Sequence, residues 1–315
     1  GVGGRPTGEN VYATAESLYV ATNRWTPTTR TDEQGQEEWG GEQSTELHQF
    51  ALDGAAPADY LASGSLPGRL IDQWSLSEHD GHLRVAVTED AGQPVSSVVV
   101  LRRTGDRLEE VGRAGDLGRD EQIYAVRFMG DRGYVVTFRQ IDPLYALDLS
   151  DPSAPAVTGE LEIPGFSSYL HTVGEHLVLG VGQEGTDEGR ILGGQVSLFD
   201  VSDPAAPQRL ATLSLGAGAS SEVEYDHRAF LHWEGLALLP YSSWSWDDQT
   251  GEGSESAGAV GIDVVDGTLV ERGRITQEGV VRRSVVVGDR LLTLSEQGLL
   301  SSDLATLTAG GWEAF

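Results

Sequence analysis

Acidic residues are the most numerous side chains in this sequence that could bind a metal ion or act in catalysis. Glu184, Asp187 and Glu188 lie in one Gly-rich segment, and Asp247 and Asp248 lie in another. Hard cations such as Ca²⁺ take several oxygen ligands, so both segments are candidate metal sites. Neither follows the spacing of an EF-hand loop, and solvated surface charge is the competing interpretation. Calcium is the one candidate cofactor, and no cofactor is firmly implied.

Five polar residues share one position relative to predicted hairpin turns. Each stands six residues before such a turn, among largely apolar neighbours: Gln73, Tyr124, Ser168, His227 and Arg282. Equivalent residues of a radial repeat lie at one level around its axis, so we expect a polar axial ring that could bind a ligand. In the alternative interpretation, each side chain bonds only to its own neighbouring loop.

The sequence contains no motif that identifies a catalytic centre. Residues 180–185 (GVGQEG) match a dinucleotide-binding fingerprint, but no helix follows whose N-terminus could hold a pyrophosphate. We find no nucleophile elbow, zinc-protease motif or phosphate-binding loop. Cysteine is absent, which excludes a thiolate nucleophile and a disulfide framework. His79 and His82 flank a predicted turn at Asp80, where a structural hydrogen bond is the expected role.

Tryptophan is concentrated in the long polar segments of the chain. These segments, residues 25–44, 183–194 and 242–258, are interpreted as surface loops, and the first and last of them hold Trp25, Trp39, Trp244 and Trp246. Tryptophan is over-represented where binding energy concentrates at interfaces. The four side chains are therefore candidate anchors for a partner.

Short strands are the elements that must position all of these residues. Residues 124–182 alternate apolar runs of strand length with turn signals such as Gly130-Asp131. The sequence LYALDLSDPSAPAVTGELEI, from Leu144, recurs as VSLFDVSDPAAPQRLATLSL, from Val196, which places Asp151 and Asp203 52 residues apart. A period of this length, made wholly of strands, is typical of radial β repeats.

The repeat predicts an all-β fold, a β-propeller of about six four-stranded antiparallel blades within a single domain, residues 1–315. The approximate repeats are 11–67, 69–117, 120–165, 166–217, 221–278 and 280–308. The sixth has three predicted strands, so we expect a strand from elsewhere, such as the N-terminal segment, to complete it. The long segments fall between second and third strands, which would gather them on one face. Two tandem β-sandwiches are the alternative.

The charge of the chain limits its partners. Asp and Glu total 49 against 21 basic residues, giving a net charge of −28. Nucleic acid and anionic membrane surfaces repel such a charge, so neither is an expected partner. No apolar run is long enough to span a bilayer. The expected partners are therefore molecules that tolerate or complement negative charge.

Several stretches of the chain resemble one known family. The runs FRQIDPLYALDLSDP, IPGFSSYLH, QVSLFDVSDPAAP, EVEYDHRAFL and QWSLSEHDGHLRVAVT are similar to bacterial and archaeal secreted proteins with a C-terminal beta-propeller domain, distant relatives of WD40 proteins. The resemblance implies an extracellular or cell-surface location, with a signal or lipoprotein segment that this chain does not contain. It implies no established activity.

Two functions follow from these observations. The first is an extracytoplasmic interaction or scaffold module that binds a protein, peptide or glycan at the cell envelope through its long loops. The alternative is a cation-dependent hydrolase or lyase with its site at the axial channel. The first is favoured, because no nucleophile, general base or complete set of metal ligands can be named.

Overall fold

The computed structural model describes residues 10–31, 37–54, 56–90, 92–138, 142–186, 189–247 and 252–315. At several strand positions, Trp39, Trp246 and Asp247 among them, the backbone is described but the side chain is not. The chain divides into two compact units: unit 1 is residues 1–139 with 143–160, and unit 2 is residues 161–315 with 140–142. Both are built from antiparallel sheets.

Unit 1 begins with two four-stranded meanders that share one sheet. The first contains β1 (Asn10–Ala13), β2 (Ser17–Thr31), β3 (Glu37–Ala51) and β4 (Asp59–Pro67). The second contains β5 (Leu76–His79), β6 (His82–Asp90), β7 (Pro94–Thr104) and β8 (Arg107–Leu117). They meet at one parallel pair, Ser63 opposite Arg107, so each meander keeps its own strand order.

The stretch around Tyr124 forms the next sheet. Its strands are β9 (Gln122–Met129), β10 (Arg132–Phe138), β11 (Asp142–Asp148) and β12 (Ala156–Ile163), the last of which crosses the boundary between the units. Tyr134, Val135 and Val136 in β10 are all buried. A continuous apolar run of this length is typical of a strand that is covered on both faces.

Unit 2 contains three further sheets. The first is formed by β13 (Phe166–Thr172), β14 (Leu177–Gly185), β15 (Ile191–Asp200) and β16 (Gln208–Ser214). The second is formed by β17 (Ala219–Ser220), β18 (Leu231–Trp233), β19 (Leu236–Asp247), β20 (Glu252–Val265) and β21 (Thr268–Thr276), with β17 and β18 both paired to β19. The third is formed by β22 (Arg283–Val287), β23 (Arg290–Leu294), β24 (Gly298–Asp303) and β25 (Ala309–Ala314). The predicted all-β fold of repeated four-stranded antiparallel sheets is confirmed.

The last sheet corrects the prediction of a missing strand. Its fourth strand is β25, which comes from the end of the chain rather than from the N-terminal segment, and pairs with β24. Residues 309–314 (AGGWEA) were not recognised as a strand because Gly and Ala have low strand propensity. The strand is held by Trp312, whose ring packs on Gly298 of β24.

The long polar segments are also not the loops that the sequence predicted. Strands β2 and β3 pair continuously out to Thr31 opposite Glu37, and β19 and β20 pair out to Asp247 opposite Glu252. The segment 183–194 also pairs, because its ends belong to β14 and β15, with Gln183 opposite Gly194. All three lie between the second and third strands of their sheets, as predicted. Polar composition indicated loops, but long hairpins bond their backbone internally and need no apolar face.

The two Asp-Pro corners are equivalent, as the repeat predicted. Asp151 Oδ1 accepts a hydrogen bond from the backbone N–H of Ser153 at 2.9 Å, and Asp203 Oδ1 accepts one from Ala205 at 2.9 Å. These are Asx turns, in which a carboxylate replaces a backbone acceptor two residues before the donor. They close the connection between the third and fourth strands in each sheet.

Helical structure in the described residues is confined to three short 3-10 turns. They span Gln73–Ser75, Glu222–Glu224 and His227–Ala229. Each starts after a residue whose side chain accepts a backbone N–H: Asp72, Ser221 and Asp226. Within the described part of the chain, no helix has the length and apolar character that crossing a membrane requires.

Candidate functional site

Two of the candidate tryptophans are exposed on the long hairpins, one in each unit. Trp25 in β2 is 63% exposed, and Trp244 in β19 is 60% exposed. Each ring packs diagonally on a glycine two residues before its direct cross-strand partner: Gly41 for Trp25 and Gly253 for Trp244. A Cβ on Gly41 would come within 2.0 Å of Trp25 Cε2, and one on Gly253 within 2.6 Å of Trp244 Cζ2. Each indole therefore rests one face on bare backbone.

A third tryptophan uses the same arrangement. Trp312 in β25 lies opposite Leu300, and its ring packs on Gly298, two residues before Leu300. A Cβ there would meet Trp312 Cζ2 at 2.7 Å. The sequence signal for this contact is a glycine two residues before the cross-strand partner of a tryptophan. That partner is known only when the strand register is known, so the sequence alone does not reveal the signal.

The other two candidate tryptophans belong to the same hairpins. The backbone of Trp39 lies opposite Thr29, and that of Trp246 lies opposite Gly253. Their side chains lie outside the described part of the structure. Their predicted role as binding anchors stays a prediction.

The predicted calcium ligands are placed only in part. Glu184 lies in β14 opposite Gly193, near the end of the ladder with β15. Asp247 is the last residue of β19, with its side chain undescribed, while Asp187, Glu188 and Asp248 lie outside the described residues. The calcium site therefore stays a prediction.

One group with metal-ligand spacing occurs elsewhere, in unit 1. His79, Asp80 and Asp131 place ligand atoms within 4.8 Å of one another, the one such group found in the described residues. His79 Nε2 lies 3.0 Å from Asp131 Oδ1 and 3.8 Å from Asp80 Oδ2. Both carboxylates are exposed, and the group joins two hairpin turns, so the structural hydrogen bond expected of His79 accounts for it.

The predicted axial residues fall in two sets, one in each unit. In unit 1, Gln73 begins a 3-10 turn, and Tyr124 in β9 contacts Phe138 edge-on with 5.4 Å between ring centroids. In unit 2, Ser168 lies in β13, His227 begins a 3-10 turn, and Arg282 directly precedes β22. Gln73 and His227 were predicted on inner strands but lie in the turns just before them. Whether the five residues form a ligand site stays a prediction.

Arg282 is part of a network of charged residues in unit 2. Its guanidinium donates to Glu222 and, at 3.3 Å, to Glu296. The bond to Glu222 raises the pKa of Arg282. Nearby, burial raises the pKa of Glu224, whose carboxylate accepts the Ser221 N–H at 2.8 Å. This part of unit 2 is therefore cross-linked by ion pairs and caps.

Asp226 connects two arginines in the same region. It accepts hydrogen bonds from Arg228 Nε at 2.9 Å and from Arg283 Nη2 at 2.9 Å. Burial raises the pKa of Asp226, but the bonds from the arginines outweigh it and lower the pKa to about 2. Asp226 also caps the turn that begins at His227. The carboxylate therefore holds a candidate axial residue in place.

Histidines and aromatic rings pack together beside this network. Tyr169 Oη lies 3.0 Å from His171 Nδ1, and the rings of His171 and His232 are 5.1 Å apart, edge-on. Tyr169 stacks on His227 with 6.4 Å between centroids. Burial lowers the pKa of His232. Sequence reasoning singled out His227 and missed the cluster, because its other members come from β13 and β18, which are far apart in sequence.

Two archaeal proteins are similar in sequence to part of this chain. A protein of Archaeoglobus fulgidus is 48% identical over 178 residues, 56% of this chain and 27% of its own length. One of Methanocaldococcus jannaschii is 35% identical over 193 residues, 60% of this chain and 27% of its own length. Both are described as uncharacterized. The chain thus spans about a quarter of the length of these curated relatives.

The chain also resembles a solved WD40 domain and matches one family profile. The Neurospora crassa Pan2 WD40 domain aligns with a TM-score of 0.48 at 9% identity, covering 94% of this chain and 75% of its own. The profile described as "Beta propeller domain" matches residues 5–307. That match covers every strand described above except the last, β25, and the chain belongs to the beta propeller domain family.

Proposed function

We propose that the chain is an extracytoplasmic interaction module that binds a protein, peptide or glycan through the hairpins carrying Trp25 and Trp244. The observation that supports this most is that both indoles are more than half exposed. Each is nevertheless seated on a glycine. An exposed aromatic ring with a fixed support is typical of an interface anchor.

The energetics favour such anchors. Burying a tryptophan removes on the order of 150–250 Å² from water, so covering the exposed half of one ring yields about 2–3 kcal/mol. Because the indole already rests on Gly41 or Gly253, little side-chain entropy remains to be lost on binding. The seated rings therefore lose less of their contact energy to side-chain ordering than mobile rings would.

The net charge of the chain restricts the chemical classes of partner that it can bind. With a net charge of −28, the surface favours partners that are basic, neutral or accompanied by cations. Secreted relatives of this fold, as the sequence resemblance implies, work at the cell envelope. Peptides, proteins and glycans of that compartment are the proposed partners.

Binding of the purified chain to peptide and glycan arrays tests the proposal. Trp25→Ala and Trp244→Ala should each weaken binding to any array hit by about tenfold or more, with melting temperature unchanged. Tyr225→Ala is the matched control, because Tyr225 is 81% exposed in unit 2 but lies outside the hairpins. Equal binding by wild type and the Trp25→Ala/Trp244→Ala double variant would refute the proposal.

A further inference from the structure

A recess of about 270 Å³ opens in unit 2 at the ends of three strand connections. Its walls include Glu234 from the β18–β19 turn, Asp289 from the β22–β23 turn and Asp303 at the end of β24. Trp233 forms a further wall and is 44% exposed. The recess therefore combines an accessible indole with three carboxylates.

The basic side chain inside the recess is already neutralised. Arg272 donates from Nε to both Asp263 oxygens at 3.1 Å, and from Nη1 to the carbonyl of Leu304 at 3.2 Å. Glu234 and Asp289 have no ion-pair partner in the part of the chain that the structure describes. The two carboxylates are therefore available to a ligand.

Asp303 is held as an anion by its surroundings. Hydrogen bonds from the backbone N–H and the hydroxyl of Thr306 lower the pKa of Asp303, and Arg290 lowers it further. Counting Asp263, Arg272 and Arg290 with the three wall carboxylates, four negative charges face two positive ones. The recess thus carries a net charge of −2 at neutral pH.

In unit 1, a tryptophan ring and a turn carboxylate of the same kinds are paired with cationic or hydrogen-bonding side chains of the protein itself. There the guanidinium of Arg127 lies over the ring of Trp74 at 3.8 Å. At the turns of unit 1 equivalent to those of the recess, His79 Nε2 bridges to Asp131 at 3.0 Å. The corresponding turn acids of unit 2, Glu234 and Asp289, have no such bridge among the described residues.

We propose that the recess binds the guanidinium group of an arginine side chain on a peptide. The planar cation lies on the face of Trp233 and donates hydrogen bonds to Glu234 and Asp289. Guanidinium suits the recess better than ammonium, because it is less strongly hydrated, stacks on aromatic faces and can donate to two carboxylates at once. The ligand is thus a basic peptide.

This site is separate from the hairpin surface proposed above. Leu236, at the start of β19, lines the recess, whereas Trp244 lies eight residues further along the same strand. At about 3.3 Å per residue the two positions are about 26 Å apart. Loss of one site therefore leaves the other intact, and the two proposals can fail independently.

Titration with Nα-acetyl-arginine amide, followed by the indole N–H signals in a ¹H–¹⁵N spectrum, tests the inference. The signal that is absent from Trp233→Phe should shift with a dissociation constant of about 1–10 mM, as expected for one side chain. The citrulline analogue, which is neutral and nearly isosteric, should leave it in place. Raising the salt from about 20 to about 500 mM should weaken binding, since the attraction is screened.

Variants identify the residues responsible. Glu234→Gln/Asp289→Asn should weaken arginine binding about threefold to tenfold, because each exposed ion pair contributes modestly. Glu175→Gln/Asp266→Asn removes two turn charges of unit 2 outside the recess and should bind as wild type does. The inference is overturned if the Trp233 signal does not move at about 20 mM arginine amide. It is also overturned if citrulline moves that signal equally, or if the two double variants bind alike.

Discussion

Two glycines of strand β20 should respond differently to the same substitution, because their neighbours differ. In Gly253→Ala the new Cβ meets the indole of Trp244, with Cζ2 at 2.6 Å. In Gly258→Ala it meets the backbone carbonyl oxygen of Ile275 at 1.8 Å. An exposed side chain can rotate away from a clash, whereas a carbonyl fixed in a β ladder cannot. The pair therefore separates loss of a seated ring from damage to the sheet.

The expected magnitudes follow from these contacts. Both substitutions reduce the freedom of the unfolded chain, which stabilises the fold by about 0.4–1 kcal/mol. For Gly253→Ala the lost ring contact offsets this gain, so the free energy of unfolding should change by less than about 1 kcal/mol. For Gly258→Ala the strands must separate locally, at a cost of about 2–4 kcal/mol, which leaves a net loss of about 1–4 kcal/mol. At about 2 °C per kcal/mol, the melting temperature should fall by about 2–8 °C in that variant alone.

Thermal unfolding and near-ultraviolet circular dichroism measure the two effects separately. Gly253→Ala should keep its melting temperature while the tryptophan signal changes, because the Trp244 ring loses its support. Gly258→Ala should melt earlier with the signal of the folded state unchanged. If both variants melt alike, or if Gly253→Ala leaves the tryptophan signal as in wild type, the described seating of Trp244 is wrong.

Two further predictions concern acidic residues at turns. Asp203→Ala should lower the free energy of unfolding by about 1 kcal/mol in a denaturant titration, because it removes the acceptor of an Asx turn. Asp151→Ala should change it in the same direction, and unchanged midpoints in both variants would contradict a structural role for these two carboxylates. Asp226 has a pKa of about 2, lowered from 3.8, so its ion pairs with Arg228 and Arg283 stabilise the fold fully above about pH 4. The stability difference between wild type and Asp226→Asn should shrink as the pH falls from about 4 towards 2, and a difference independent of pH would refute the assignment.

The inner part of each sheet could be predicted from the sequence. Apolar runs such as residues 133–136 and the turn at Gly130 specify strands and hairpins through local rules. The recurrence of Asp151 and Asp203 then identified the repeat, and with it the fold. Strand and turn signals depend on neighbouring residues, and the repeat depends on comparing the sequence with itself, so a single sequence contains both.

The outer elements could not be predicted in the same way. The ladders of Trp25 and Trp244 are polar on both faces, and β25 is Gly-rich, so neither has the periodicity that identifies a strand. The recess beside Trp233 combines turns that are far apart in sequence, and only their packing shows that Glu234 and Asp289 face one space. A site formed by turns that are far apart in sequence has no fixed short spacing between its residues, so no sequence motif identifies it.

The tryptophan–glycine contacts have a consequence for strand register. In a ladder that is polar on both faces, burial does not oppose slippage of one strand along the other. A slip of one residue would turn Trp25 to the opposite face, and a slip of two would bring its ring against Gln43 or Trp39 instead of Gly41. Each two-residue slip of this ladder therefore meets a side chain where the native ladder meets bare backbone. Trp25 therefore disfavours two-residue slips in a ladder whose hydrophobicity does not exclude them.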